Sequence, residues 1–174
     1  MPSYEFTAVL DRAPTDAEFD RLFEAGLDDA LPVVEAGNGY LYATRNAPTL
    51  IEAIFSVAHD AAEAGFSVVR LEDHDLVSLK TVARRAGRSY ESVRLLAQGK
   101  RGPGGFPAPL SDDSWALYSW TKVAEWFRAS LAVDMTSTED ERVIAAASLV
   151  LRARSLVGGR GLADMSTLAQ KISA

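Results

Sequence analysis

The chain of 174 residues has no cysteine and only two histidines, His59 and His74. Without thiols there is no disulfide framework and no thiolate metal site, and two imidazoles leave a zinc ion short of ligands. No run of eighteen apolar residues occurs, and the beginning shows no basic start leading into an apolar stretch, so the patterns of a membrane span and of a secretory signal are both missing. A cytoplasmic protein with no membrane partner is expected. Nor does any local pattern unite a nucleophile, a base and an orienting group: His59 is followed by Asp60, and His74 sits between Asp73 and Asp75. Surface or packing roles are expected for both histidines, with no enzyme activity, no cofactor and no metal.

What is present is enough apolar material, 48% of the residues, for one ordinary domain or two small ones. The net charge of −6 is unevenly spread. Residues 1–79 hold four basic and fifteen acidic side chains, 80–101 hold seven basic and one acidic, and 102–174 hold seven basic and eight acidic. An acidic chain with one compact basic segment can approach a phosphate backbone locally when its acidic part faces away.

The opening YEFTAVL alternates in strand fashion, with Tyr4, Phe6, Ala8 and Leu10 on one side. Pro14, Thr15 and Asp16 form a helix entry, Phe19, Leu22 and Phe23 share a face, and Gly26 is a stop. Val33, Val34, Tyr40 and Tyr42 read as two strands about a Gly37-Asn38-Gly39 turn. Thr49, with Glu52 three residues on, caps a second helix whose apolar face runs through Leu50, Ile51, Ala53, Ile54, Val57, Ala58 and Ala61. FSVVRLE supplies a last strand, and Arg70 in it reads as a strand-end charge. The expected module is β-α-β-β-α-β, two helices on one face of a four-stranded antiparallel sheet.

Ser78 caps a short helix with Leu79, Val82, Ala83 and Ala86 inward, Gly87 turns the chain, and Ser89 caps a second helix packed through Val93, Leu96 and Ala97. Tyr90, Glu91, Arg94 and Gln98 then face outward or sideways. Such a pair suits a helix-turn-helix whose second helix enters a major groove. Arg94 offers a planar fork to guanine and Gln98 a pair to adenine; Glu91 can accept from cytosine or be an ordinary exposed carboxylate. Tyr90 can meet sugar or a base methyl, or pack sideways. Arg84, Arg85, Arg88 and Ser89 are phosphate candidates, with a solvated charge face as the other reading. In GKRGPGGFPAP the glycines permit unusual turns, Phe106 anchors the loop, and Lys100 and Arg101 ride on it as a basic wing or a plain basic hairpin. Trp115, Leu117 and Tyr118 anchor an extended segment. Ser119 or Thr121 caps a helix with Trp120, Val123, Ala124, Trp126 and Phe127, so the three tryptophans read as core rather than as a base-stacking platform.

LVSLKTVARRAGRSYESVRLLAQGKRGPGGFPAP, followed by SWALYSWTKVAEWFRAS, resembles the winged helix-turn-helix region of MerR-like regulators and of phage excisionase or AlpA-like DNA-binding proteins, as in actinobacterial helix-turn-helix proteins. The resemblance covers about residues 76–130. It implies that Ser89 to Gln98 enter the groove, that Lys100 and Arg101 make wing contacts, and that the tryptophan-rich helix packs against the module. The loop is richer in glycine than a minimal AlpA-like wing, and neither a cysteine metal sensor nor the long coiled coil of some MerR regulators is present.

A last helix is expected from about Thr138 to Val157, capped by Ser137 or Thr138 and released at Gly158-Gly159, with Val143, Ile144, Ala147, Val150, Leu151 and Leu156 needing cover from another domain or a second copy. Beyond it a frayed tail is expected, or a short docking helix through Leu162, Met165, Leu168 and Ile172. The whole reads as α+β: a ferredoxin-like module (1–73), a winged helix-turn-helix domain (76–130) and a helical C-terminal extension (137–174). The function expected is sequence-specific binding of double-stranded DNA, nucleoid-associated when bound, as a transcriptional regulator and as a homodimer. The alternatives are an excisionase-like architectural protein and an adaptor for an unidentified protein partner.

Overall fold

The computed structural model describes residues 1–111, 116–135 and 138–172, with the side chains of 168, 169, 171 and 172 left undescribed. The expected anchor Trp115, the alternative cap Ser137 and the docking side chains Leu168 and Ile172 therefore lie outside the described residues. The fold is mixed α+β with two antiparallel sheets, and the chain divides into two compact units, Met1–Glu72 with Val143–Ala174, and Asp73–Arg142.

In the first unit the order is β1 (Ser3–Leu10), α1 (Asp16–Glu24), β2 (Ala30–Glu35), β3 (Asn38–Asn46), α2 (Leu50–Glu63) and β4 (Val68–Leu71). The four strands pair in the order β2-β3-β1-β4, all antiparallel. Phe6, Ala8 and Leu10 of β1, Leu41 and Ala43 of β3, and Ala53, Ile54, Val57 and Ala61 of α2 build one core. Local capping starts the helices. The Thr49 hydroxyl accepts from the Glu52 N–H at 3.2 Å, and Glu18 accepts from the Thr15 N–H at 3.0 Å.

Three local expectations shift. The hairpin turn is Ala36-Gly37, both at positive φ, with Glu35 already opposite Asn38. A two-residue turn that matches strand twist needs positive φ at both central residues, and these two supply it. Gly39 serves packing instead, since a Cβ there would stand 2.6 Å from the Arg12 carbonyl oxygen. Phe23 and Ile51, assigned inward by periodicity, are exposed, because each lies on the rim of its helix's apolar stripe where the sheet does not reach.

The helix α6 (Glu139–Ile172) begins with a capping box, the Glu141 N–H donating to the Thr138 hydroxyl at 3.1 Å and Glu141 accepting from the Thr138 N–H at 2.9 Å. From Val143 onward it belongs to the first unit, and Val143, Ile144, Ala147 and Leu151 pack on that unit's core. β4 is an edge strand, and its outward backbone finds a partner on α6: the buried Ser148 hydroxyl donates to the Leu71 carbonyl at 3.0 Å and accepts from the Leu71 N–H at 3.3 Å. An edge so occupied offers less backbone to a foreign strand. At Gly158 the backbone leaves helical geometry (φ 71°, ψ 175°), the release expected there, and a second helical stretch runs on to Ile172.

The second unit contains β5 (Leu76–Ser78), α3 (Leu79–Arg85), α4 (Tyr90–Ala97), β6 (Leu117–Ser119) and α5 (Trp120–Leu131). β5 and β6 pair antiparallel. Val82, Ala83, Val93, Leu96, Tyr118, Trp120, Val123, Ala124, Trp126 and Phe127 form its own core.

Candidate nucleic-acid interface

The geometry of α3 and α4 follows from their ends. The Ser78 and Ser89 hydroxyls accept from the N–H groups of Thr81 (3.3 Å) and Ser92 (3.2 Å), giving each helix a defined first turn. Gly87, at φ 59°, closes α3: its N–H donates to the Arg84 carbonyl and the Arg88 N–H to the Ala83 carbonyl at 2.9 Å. A side chain would be strained at that φ, so this sharp turn between the helices calls for glycine. The same pair of bonds ends α4, from Gly99 to Leu96 and from Lys100 to Leu95. With Val93 and Leu96 buried, the other side of α4 is left outward, and Tyr90, Glu91 and Gln98 are exposed there.

That outer face carries a linked ridge. Arg94 Nε donates to Glu91 Oε2 at 2.9 Å and Nη2 to Oε1 at 2.6 Å, while Nη1 reaches Gln98 Oε1 at 3.4 Å. The Arg94 hydrogen bonds hold the Glu91 carboxyl below its ordinary pKa, so it stays ionised at neutral pH. An incoming guanine edge or phosphate must replace a bidentate carboxylate, and a phosphate would also meet its negative charge.

The remaining cations divide in two. Arg84, Lys100 and Arg101 are exposed, and among the described residues the Arg94–Glu91 pair is the only side-chain ion pair of this unit. Arg85 lies over the Trp120 ring, 4.7 Å from its centroid, and donates to the His74 carbonyl at 3.3 Å; Arg88 lies 5.6 Å from the Phe127 centroid. These stacks hold both guanidiniums near the tryptophan-rich helix while leaving the residues exposed. The Ser89 hydroxyl oxygen is engaged as the α4 cap.

Lys100 and Arg101 sit in the turn that leaves α4. Residues 98–111 make turns and extended stretches without strand pairing, and the ladder of the unit falls on β5 and β6. Phe106 fastens this loop against Trp126 and Tyr118 at centroid distances of 5.0 and 5.8 Å, and the Trp126 indole N–H donates to the Gly104 carbonyl at 3.0 Å. Trp120 and Trp126 are buried, which removes both from a base-stacking platform.

Sequence reasoning missed Asp75. Its carboxylate accepts from the Thr121 N–H at 2.7 Å and its carbonyl from the Trp120 N–H at 2.6 Å, tying the start of α5 to the chain before β5. His74 contributes its carbonyl to Arg85, and His59 stacks on Phe55 at 6.2 Å. Among the described residues no group of three or more His, Cys, Asp or Glu could hold a metal ion, and no helix is long and apolar enough to cross a membrane. No protein-family model matches the chain, and the curated proteins and solved structures likewise give no match.

Proposed function

We propose that the protein binds double-stranded DNA sequence-specifically and acts as a transcriptional regulator. The observation that carries this reading is the outer ridge of α4: Tyr90, Glu91, Arg94 and Gln98 lie on the solvent side of a short helix whose other side is fixed in a core, next to a turn bearing Lys100 and Arg101. In this reading residues 76–130 form a winged helix-turn-helix domain, and the 98–111 loop serves as its wing. The strand order of the first unit supports reading that unit as a ferredoxin-like module.

The mechanism is exchange of partners. Arg94 leaves Glu91 for the O6 and N7 atoms of a guanine, Gln98 pairs with adenine, and the released Glu91 accepts from a cytosine amino group. Arg84, Arg88, Lys100, Arg101 and the Ser89 hydroxyl meet phosphates and fix the register. Arg85 contributes charge from its place over Trp120. Because the ion pair must be broken, only a groove that offers Arg94 a good fork and Glu91 a donor recovers the loss, which favours selective over indiscriminate binding. Binding, rather than catalysis, is then the activity, and an excisionase-like architectural role would use the same contacts.

A second reading, an adaptor for a protein partner, rests on the exposed Phe23, Ile51 and Phe55 of the acidic first unit. Recovery and sequencing of host genomic fragments bound by the full-length protein at near-physiological salt separates the two. Enrichment of a discrete site is expected. A flat background across the genome would move the adaptor reading ahead.

A further inference from the structure

The helix α6 is apolar on two opposite faces. At about 100° per residue, Ile144, Ala147, Ser148 and Leu151 fall on one side, which packs on the first unit. Ala146, Leu149, Val150, Ala153, Leu156 and Val157 fall on the other. There Leu149, Val150 and Leu156 are 64%, 54% and 85% exposed. Ala146, Leu149, Ala153 and Leu156 follow a three-four spacing over two heptads, the seam of a helix pair, and the two alanines permit close approach.

Charge along the same helix selects the occupant. Its first turn carries Glu139, Asp140 and Glu141, whereas Arg152 and Arg154 flank the seam further on, with no acidic residue between 142 and 157. Two such helices side by side in the same direction would set arginine against arginine and acid against acid. In opposite directions each acidic turn runs towards the basic half of its neighbour, and the helix dipoles oppose as well.

We infer that α6 pairs antiparallel with α6 of a second copy of this chain through the Ala146–Val157 face. A two-fold axis level with Leu151 sets Ala146 opposite Leu156 of the other helix and Leu149 opposite Ala153. The seam is two heptads long, so the dimer dissociates on dilution. This inference stands apart from the DNA reading and is measured without DNA.

Sedimentation equilibrium of the full-length protein over a concentration series is expected to give a monomer–dimer equilibrium. The Leu149→Asp, Leu156→Asp double variant is expected to raise the dissociation constant at least about tenfold. Both positions are exposed, so its circular dichroism and melting should match the parent. Because the chain lacks cysteine, orientation can be read by oxidation of single-cysteine variants, a disulfide needing Cα atoms within about 7 Å. A mixture of Ala146→Cys and Leu156→Cys chains should give the mixed disulfide, and each variant alone should not cross-link. A monomer at every concentration, a dimer that persists in the double variant, or a disulfide between two Ala146→Cys chains would each overturn the inference.

Discussion

Residues 1–72 and residues 73–142 use their arginines differently. In residues 1–72, three of the four arginines end on carboxylates of the same unit: Arg12 and Arg21 on Glu18, and Arg45 on Asp29 and Asp60. Arg45 is largely buried and ties three segments together. Nη1 donates to Asp60 at 2.7 Å and Ser56 at 3.1 Å, and Nη2 donates to the Gly26 carbonyl at 2.9 Å and Asp29 at 2.8 Å. In residues 73–142 the arginines lie outside the core, stacked on aromatic rings or exposed, and Arg94 alone among the described residues pairs with a carboxylate. A cation already matched by carboxylates of its own fold has little charge left to offer a partner, whereas an unmatched one keeps it. The contrast teaches where recognition is to be sought, and the overall charge of the chain would have hidden it.

The most severe way to break the comparison is to remove one core and watch the other. Phe127 is fully buried in the second unit, so Phe127→Ala should cost about 3–5 kcal/mol there. Two-probe thermal unfolding should then show the tryptophan signal melting early while the sheet-rich first unit holds. Next in size is Arg45→Met, which leaves Asp60 and Asp29 without their cation and should destabilise the first unit by about 2 kcal/mol, read by urea titration, with DNA affinity unchanged under folding conditions. Arg94→Ala should reverse that pattern. We expect it to lose about 1–3 kcal/mol of binding to the selected site and to shift the melting temperature little, since its salt bridge is exposed.

Smaller effects sharpen the picture. Lys100→Ala and Arg101→Ala should weaken binding to all duplexes alike and each reduce the salt slope by about one; slopes equal to the parent would remove the loop from the interface. Finally, hydrogen bonds from Arg12 and from the Thr15 backbone hold Glu18 at a pKa of about 2, below its ordinary 4.5. The stabilisation is complete above about pH 4.5 and is lost as pH falls towards 2. The melting temperature of the first unit should therefore decline across that interval, and Glu18→Gln should flatten the decline.

Much of this was legible because its causes are local. Thr49, Ser78, Ser89 and Ser119 each cap a helix through the N–H three residues on, a relation visible in the sequence itself. The order of elements followed from the apolar period. What periodicity could not give was the reach of the sheet beneath Phe23 and Ile51, or the choice of Ala36-Gly37 for the turn, where a non-glycine residue takes positive φ. Contacts distant in sequence were also hidden: Trp126 with Gly104, Asp75 with Thr121 and Ser148 with Leu71 leave no short-range mark. On α4 the outward residues were identified individually, yet the Arg94–Glu91 fork, which changes what the ridge can do, emerged only from the geometry.

The central claim is that α4 reads base edges through Arg94. Fluorescence anisotropy of the full-length protein and of Arg94→Ala, each titrated onto the enriched duplex and onto a scrambled duplex at one fixed salt concentration, tests it most directly. The account predicts that the variant loses at least about fivefold on the enriched site and binds the scrambled duplex as the parent does. Equal losses on both duplexes, or no loss on either, would contradict it.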